Sequence, residues 1–299
     1  MALFPGFADT RHRLDNGLTL RVRSAGQGPA VLLLHGYPQT GACWHRVAPQ
    51  LVQAGFRVIV PDLRGYGGSD KPAPDAGHAT YSKRAMAADM VALMRDLGHD
   101  RFAMAGHDRG GRVAHRLALD WPDALSRVAV LDIAPTATMY ASTDMEFATA
   151  YYHWFFLIQP APFPERMIGA DPEYYLRTKL GSWGKSGMTI YDPEAVAEYV
   201  AAFRDPACIA ATCADYRAAA SIDLEHDRAD AEARIAVPLL ALWGAAGLVG
   251  RKYDVLQTWR DKALDVRGGP VTGGHFLPEE SADETAQALI DFFAGMPAE

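Results

Sequence analysis

The stretch Met104-Ala-Gly-His-Asp-Arg-Gly-Gly-Arg-Val-Ala-His-Arg-Leu117 decides how the chain is read. Arg101-Phe-Ala-Met-Ala105 is apolar enough for a short buried strand, and an amphipathic helix follows the glycines. Between them Gly106-His107-Asp108-Arg109-Gly110 sets small residues on both sides of an acid. This is the G-x-Nuc-x-G pattern, a sharp strand-to-helix turn that throws its central side chain out at the top of a sheet. Glycine is needed where a Cβ would clash in so tight a bend. A carboxylate at the centre suits attack on saturated carbon and leaves an ester that water can cleave. The competing reading is structural, since Asp is a preferred N-cap and Asp108 would then only start the helix.

Outward from this turn, strand and helix signals alternate. Residues 11–24 alternate charged and apolar around Asn16-Gly17, a hairpin signature. Ala30-Val-Leu-Leu-Leu-His35 is apolar without alternation, as a strand buried on both faces requires. A helix is expected over 42–54, a strand at Phe56-Arg-Val-Ile-Val60, a glycine-rich loop over Pro61–Asp70 and a helix from Ser82 to Leu97. Arg127-Val-Ala-Val-Leu-Asp132 and Val237-Pro-Leu-Leu-Ala-Leu-Trp243 read as further strands, and a last helix spans about Glu280 to Phe293. Such alternation implies an α/β fold with an open, mostly parallel central sheet. From 134 to 234 strand signals vanish, aromatics are frequent and prolines punctuate helical pieces. The expected organisation is an α/β core of 1–133 and 235–299 with an inserted helical cap of 134–234. A separate helical domain is the weaker alternative, because the sheet pattern resumes afterwards.

Composition narrows the function. The chain has 299 residues, 49% hydrophobic and 22% charged, which suits one large globular unit. A net charge of −7 implies no general affinity for nucleic acid or an anionic membrane, so an anionic ligand must be met by local positive charge. Cys43, Cys208 and Cys213 make neither a disulfide framework nor a C-x-x-C metal site, and neither metal nor cofactor is expected. The start, Met1-Ala-Leu-Phe-Pro-Gly-Phe7, lacks the basic and long apolar regions of a signal peptide, so a cytoplasmic location is the expectation.

An aspartyl ester needs a base to activate water, and histidine titrates in the right range. Of ten histidines only His275 lies beyond His226, in the small-residue turn Gly273-Gly274-His275-Phe276 before the C-terminal helix. That is where this architecture places its base. The base needs an orienting carboxylate. The loop after Trp243, Gly244-Ala-Ala-Gly-Leu-Val-Gly250, contains no acid, whereas Asp132 ends the strand after the elbow helix. Asp132 is therefore the expected orienter, with turn capping as its alternative. The ester oxygen would be held by the backbone N–H groups of Arg109 and Tyr37.

Arg109 and Arg112 lie three apart on the elbow helix and so share a face. Two guanidiniums beside Asp108 would keep it ionised and present a fork to a substrate carboxylate. The alternative is that one of them pairs with a structural acid, as Arg116 is expected to do.

With these residues in place, the chain resembles the haloacetate dehalogenases of the α/β-hydrolase superfamily, and is most similar to the fluoroacetate dehalogenases. The resemblance covers nearly the whole chain. It is carried by His35-Gly-Tyr-Pro-Gln-Thr40, Gly106-His-Asp-Arg-Gly-Gly-Arg112, Leu131-Asp-Ile133, Tyr152-His-Trp154, Asp215-Tyr-Arg217 and Gly274-His-Phe-Leu-Pro278. It implies halide displacement by Asp108, ester hydrolysis by water that His275 activates with Asp132 behind it, and a small anionic haloacid substrate gripped by Arg109 and Arg112. It also implies that His153, Trp154 and Tyr216 donate to the departing halide. An imidazole, an indole and a phenol are suitable donors, though the bland reading of Tyr151-Tyr-His-Trp-Phe-Phe156 is a packed aromatic core. Trp183 and His107 are further candidates for the pocket wall. Tyr37 departs from the Phe expected there. The resemblance also suggests a homodimer.

The nearest rival is an epoxide hydrolase, with the same nucleophile and two tyrosines drawn from Tyr151, Tyr152, Tyr191 and Tyr216; Arg109 stands against it, where those enzymes usually carry an apolar aromatic. A haloalkane dehalogenase would want no arginine pair. A ligand receptor on an inactive scaffold would not need the intact set of Asp108, Asp132 and His275.

Overall fold

The computed structural model describes residues 3–184 and 187–294. Eight strands form one sheet: β1 (Ala8–Arg13), β2 (Thr19–Ala25), β3 (Ala30–Leu34), β4 (Arg57–Pro61), β5 (Phe102–His107), β6 (Leu125–Leu131), β7 (Leu239–Gly244) and β8 (Val266–Val271). Their order is β1-β2-β4-β3-β5-β6-β7-β8. The hairpin around Asn16-Gly17 supplies the antiparallel edge β1–β2, and β2 also runs antiparallel to β4. The remaining neighbours are parallel. Every residue of β3 and of β5 is buried, which is why neither alternates. β1, rich in charge and exposed, closes the sheet with an edge that other chains pair with poorly.

The expected helix over 42–54 is two pieces, a 3₁₀ turn at Gly41–Trp44 and a helix at Ala48–Gln53. Pro49 sits in the first turn of the second, where its missing N–H costs nothing. The helix Lys83–Asp96 starts where expected, capped by Ser82 Oγ, which accepts from Ala85 N at 3.1 Å. The final helical region is a short Leu277–Glu280 helix followed by Ala282–Phe293. β8 was not anticipated. Its sequence Val266-Arg-Gly-Gly-Pro-Val271 carries the residues that depress strand propensity, and it is tolerated because it is an edge strand.

Between β6 and β7 the described chain from Thr136 to Ala229 holds helices and no strand. The sheet's parallel strands bring the β3, β5, β6 and β7 ends to one side, and the helices between β6 and β7 pack there. No helix among the described residues is long and apolar enough to cross a membrane.

Candidate active site

Asp108 stands between β5 and the helix Arg109–Asp120, at φ 46° and ψ −111°. The turn closes so tightly that a Cβ on Gly106 would strike the carbonyl of Gly110. The capping role is not taken up, for Asp108 makes no side-chain hydrogen bond to its own helix. Its Oδ1 instead accepts the backbone N–H of Tyr37 at 2.9 Å, from the loop after β3. Gly36 permits that approach, since a Cβ there would lie 2.5 Å from Asp108 Cβ. Burial opposes ionisation of Asp108, but His275, Arg112 and Arg109 outweigh it and hold the carboxyl below its ordinary value.

His275 Nδ1 donates to Asp132 Oδ2 at 2.6 Å, which leaves Nε2 as the unprotonated nitrogen of the neutral ring. Asp132 lies just past β6 at φ 51°, and its Oδ1 accepts from Gly244 N at 3.0 Å. It therefore faces the histidine rather than capping a turn. Burial works to lower the pKa of His275, yet the bond and charge of Asp132 raise it overall. The loop carrying His275 is fixed from both sides: Glu280 accepts Gly274 N and Phe276 N, each at 2.9 Å. His107 Nε2 donates to the His275 carbonyl at 2.8 Å, and burial drives its pKa down to about 3, so it stays neutral.

The two arginines differ. Arg109 is tied to Asp215 of the helix Pro206–Ala219, Nη2 to Oδ1 at 2.6 Å and Nε to Oδ2 at 2.9 Å. Asp215 also accepts from Tyr66 Oη at 2.7 Å and from Lys83 Nζ. The acid partner considered for one arginine thus exists for Arg109, and Arg116 pairs with Asp120 and Asp230. Arg109 still keeps a buried Nη1 without a hydrogen-bond partner. Arg112 donates Nη1 to Ala134 O at 3.2 Å and Thr136 Oγ1 at 2.8 Å, while its Nε has no partner. Each guanidinium lies on an aromatic face, Arg109 4.2 Å from the Tyr216 centroid and Arg112 4.7 Å from that of Trp154.

His153, Trp154 and Tyr216 are all buried and meet around the arginines. The rings of His153 and Tyr216 are 5.5 Å apart, and those of Trp154 and Tyr216 6.4 Å. His153 Nδ1 and Tyr216 Oη have no hydrogen-bond partner. Burial, helped by the charge of Lys179, keeps His153 neutral. Tyr37 stacks on His153 at 5.9 Å, and its hydroxyl donates to Tyr175 Oη at 2.9 Å. Trp183 lies 4.3 Å from His153 and 5.7 Å from His275. A cavity of about 400 Å³ lined by Tyr151, Tyr152, Trp183, Leu248, Arg251 and His275 opens beside them. Sequence reasoning missed Lys83, Tyr175 and Glu280 altogether. It noted Asp215 only within a motif.

The α/β sheet, the strand-borne turn with its acid and the histidine loop define a class. The chain belongs to the alpha/beta hydrolase fold family, whose model matches residues 29–282. Within it the chain is 45% identical over 293 residues to fluoroacetate dehalogenase of Burkholderia sp, covering 98% of this chain and 95% of that one. It is 34% identical to soluble epoxide hydrolase of Corynebacterium sp. (strain C12), over 95% of this chain and 97% of the relative. A crystal structure of an alpha/beta hydrolase from Nostoc sp PCC 7120 superposes with a TM-score of 0.95 at 54% identity, covering 97% of this chain and 99% of that one.

Proposed function

We propose that this protein is a hydrolytic dehalogenase acting on haloacetates, fluoroacetate or chloroacetate, through an aspartyl ester. One observation carries the substrate class: beside the ionised Asp108 two buried arginines each retain a nitrogen without a partner. A buried N–H left unpaired is costly, and a carboxylate supplies what both lack. The 45% identity to a fluoroacetate dehalogenase supports the same reading.

The chemistry follows from these groups. A carboxylate oxygen of Asp108 attacks the carbon bearing the halogen, the C–O bond forms, and the halide leaves with the bonding pair. Arg109 and Arg112 hold the substrate carboxylate. His153, Trp154 and Tyr216 donate to the halide, replacing the water that a small anion would otherwise demand. His275, oriented by Asp132, then takes a proton from water, and the oxygen adds to the ester carbonyl of Asp108. The backbone N–H groups of Tyr37 and Arg109 stabilise the resulting oxyanion. Collapse expels glycolate, which recovers the proton from His275, and the new carboxyl loses its own proton to solvent. Water thus yields glycolate, halide and one proton. Residues 134–234 serve as the cap that dries the site, over a core of 1–133 and 235–299.

A second reading, epoxide opening by the same aspartate, draws on the 34% relative and on the unpartnered hydroxyl of Tyr216. Of its other tyrosines, Tyr191 is spent on Leu180 O at 3.0 Å and Tyr152 is 45% exposed. Halide release from fluoroacetate and chloroacetate, measured beside diol formation from styrene oxide, separates the two. Diol without halide would overturn the haloacetate assignment.

A further inference from the structure

The helix Pro172–Trp183 carries Tyr175, Lys179 and Trp183 at four-residue spacing, hence on one face. Both ends of this stripe reach the site: Tyr175 bonds the hydroxyl of Tyr37, and Trp183 lies against His153 and His275. Lys179 is between them. It is 1% exposed, and no carboxylate among the described residues bears on its charge. Its Nζ rests 3.4 Å from the ring centroid of Tyr152, with Trp183 at 5.3 Å and Tyr175 at 5.6 Å. Two of these rings, Tyr152 and Trp183, also line the 400 Å³ cavity.

A buried ammonium with aromatic faces but no counter-ion is an incomplete arrangement. Ring quadrupoles offset only part of the lost hydration. Of the other buried cations near the site, Lys83 and Arg109 share Asp215, and Arg112 stands beside Asp108. Burial alone pushes the Lys179 amine down to about 7, and an anion beside it would raise it again. Trp183, which flanks this amine, lies 4.3 Å from the ring of His153 and so joins it to the site.

We propose that Lys179, with the rings of Tyr152 and Trp183, forms a second position for a small monovalent anion, next to the site of displacement and nearer the cavity. Its place in turnover, as the station a halide occupies on leaving or a haloacid carboxylate on arriving, rests on the dehalogenase reading. Its existence does not.

Bromide binding to the whole protein, followed by tryptophan fluorescence, tests it without turnover. The native chain should titrate in two phases, and Lys179→Met should weaken one by about tenfold or more, the worth of one charge-assisted hydrogen bond. Lys179→Arg should keep both, and Tyr216→Phe should weaken the other. Glycolate in place of bromide reads the carboxylate arm, and either anion lost with Lys179 supports the site. Identical titrations of native protein and Lys179→Met with both anions would overturn it. Should Lys179→Met not fold, anomalous scattering from bromide in native crystals decides: density within hydrogen-bond reach of Nζ supports the site, and its absence there refutes it. A protein that binds bromide at Lys179 but releases no halide from haloacetates would instead sink the dehalogenase reading.

Discussion

Asp215 grips Arg109 through two contacts, 2.6 and 2.9 Å, with both side chains excluded from solvent. The arginine that follows Asp108 is thus set by an acid from the helices between β6 and β7. Asp215→Asn would leave Arg109 and Lys83 short of their counter-charge. Loss of one partner from a buried pair costs about 3–5 kcal/mol. The expected outcome is a lower thermal midpoint together with a raised KM for haloacetate. Arg112→Ala, which breaks no ion pair, should raise KM by about 10–100-fold with a smaller loss of stability. Equal KM for Asp215→Asn and the native enzyme would show that Arg109 does not depend on its partner.

His275→Ala should stop the cycle after displacement. One equivalent of halide is expected, and intact-protein mass spectrometry should find the substrate's carboxymethyl group on Asp108. Steady turnover should fall by about 10²–10⁴-fold, the usual worth of a general base. A variant that releases no halide and gains no mass would count against the covalent route.

Protonation of His275 gives opposite signs for activity and stability. Its pKa lies above 6.5 in the folded chain, because the pairing with Asp132 prevails over burial. The stabilisation it brings is fully present below its unfolded value and is lost as pH rises through the folded value. In the proposed mechanism turnover needs the neutral ring, so it should rise over the same window in which the melting temperature declines. Asp108, depressed below 3.8, stays ionised throughout and adds no limb there. Rate and melting profiles against pH check this, and a rate that falls with rising pH through that window would refute His275 as base.

Glu280 holds the two N–H groups on either side of His275. Glu280→Ala frees the loop, and kcat should drop by about tenfold or more while KM changes little, since misplacement of a catalytic group is felt mainly in the chemical step. Glu280→Gln, which keeps one acceptor oxygen, should recover part of that loss. A change confined to KM would place Glu280 elsewhere in the mechanism.

Much of this molecule is legible in its sequence, and the reasons are local. The glycines around Asp108 and the unbroken apolar run before His35 are short-range signals, so the elbow and the central strands were readable. Asp132 could be found because the loop after Trp243 offers no rival acid. β8 was hidden because Gly268, Gly269 and Pro270 speak against a strand and only pairing with β7 makes one. The partnership of Asp215 with Arg109 spans 106 residues and has no periodicity to betray it. Lys179 looks like any lysine on a helix until Tyr152, from the turn between the helices Met145–Ala150 and His153–Leu157, is laid across its amine.

Both carboxylates of the proposed reacting set stand on backbone that glycine alone takes freely, Asp108 at φ 46° and Asp132 at φ 51°. Each such residue costs on the order of 1–3 kcal/mol, which the rest of the sheet must supply. Asp108→Gly and Asp108→Ala both lose the charge that faces His275, Arg112 and Arg109 and the acceptor of Tyr37 N–H, so both should lose turnover. Only glycine relieves the backbone, and it should melt higher than the alanine variant; a glycine variant that melts no higher would show that Asp108 stores no strain. The sheet's surplus of cohesion is, in that sense, held in reserve for chemistry.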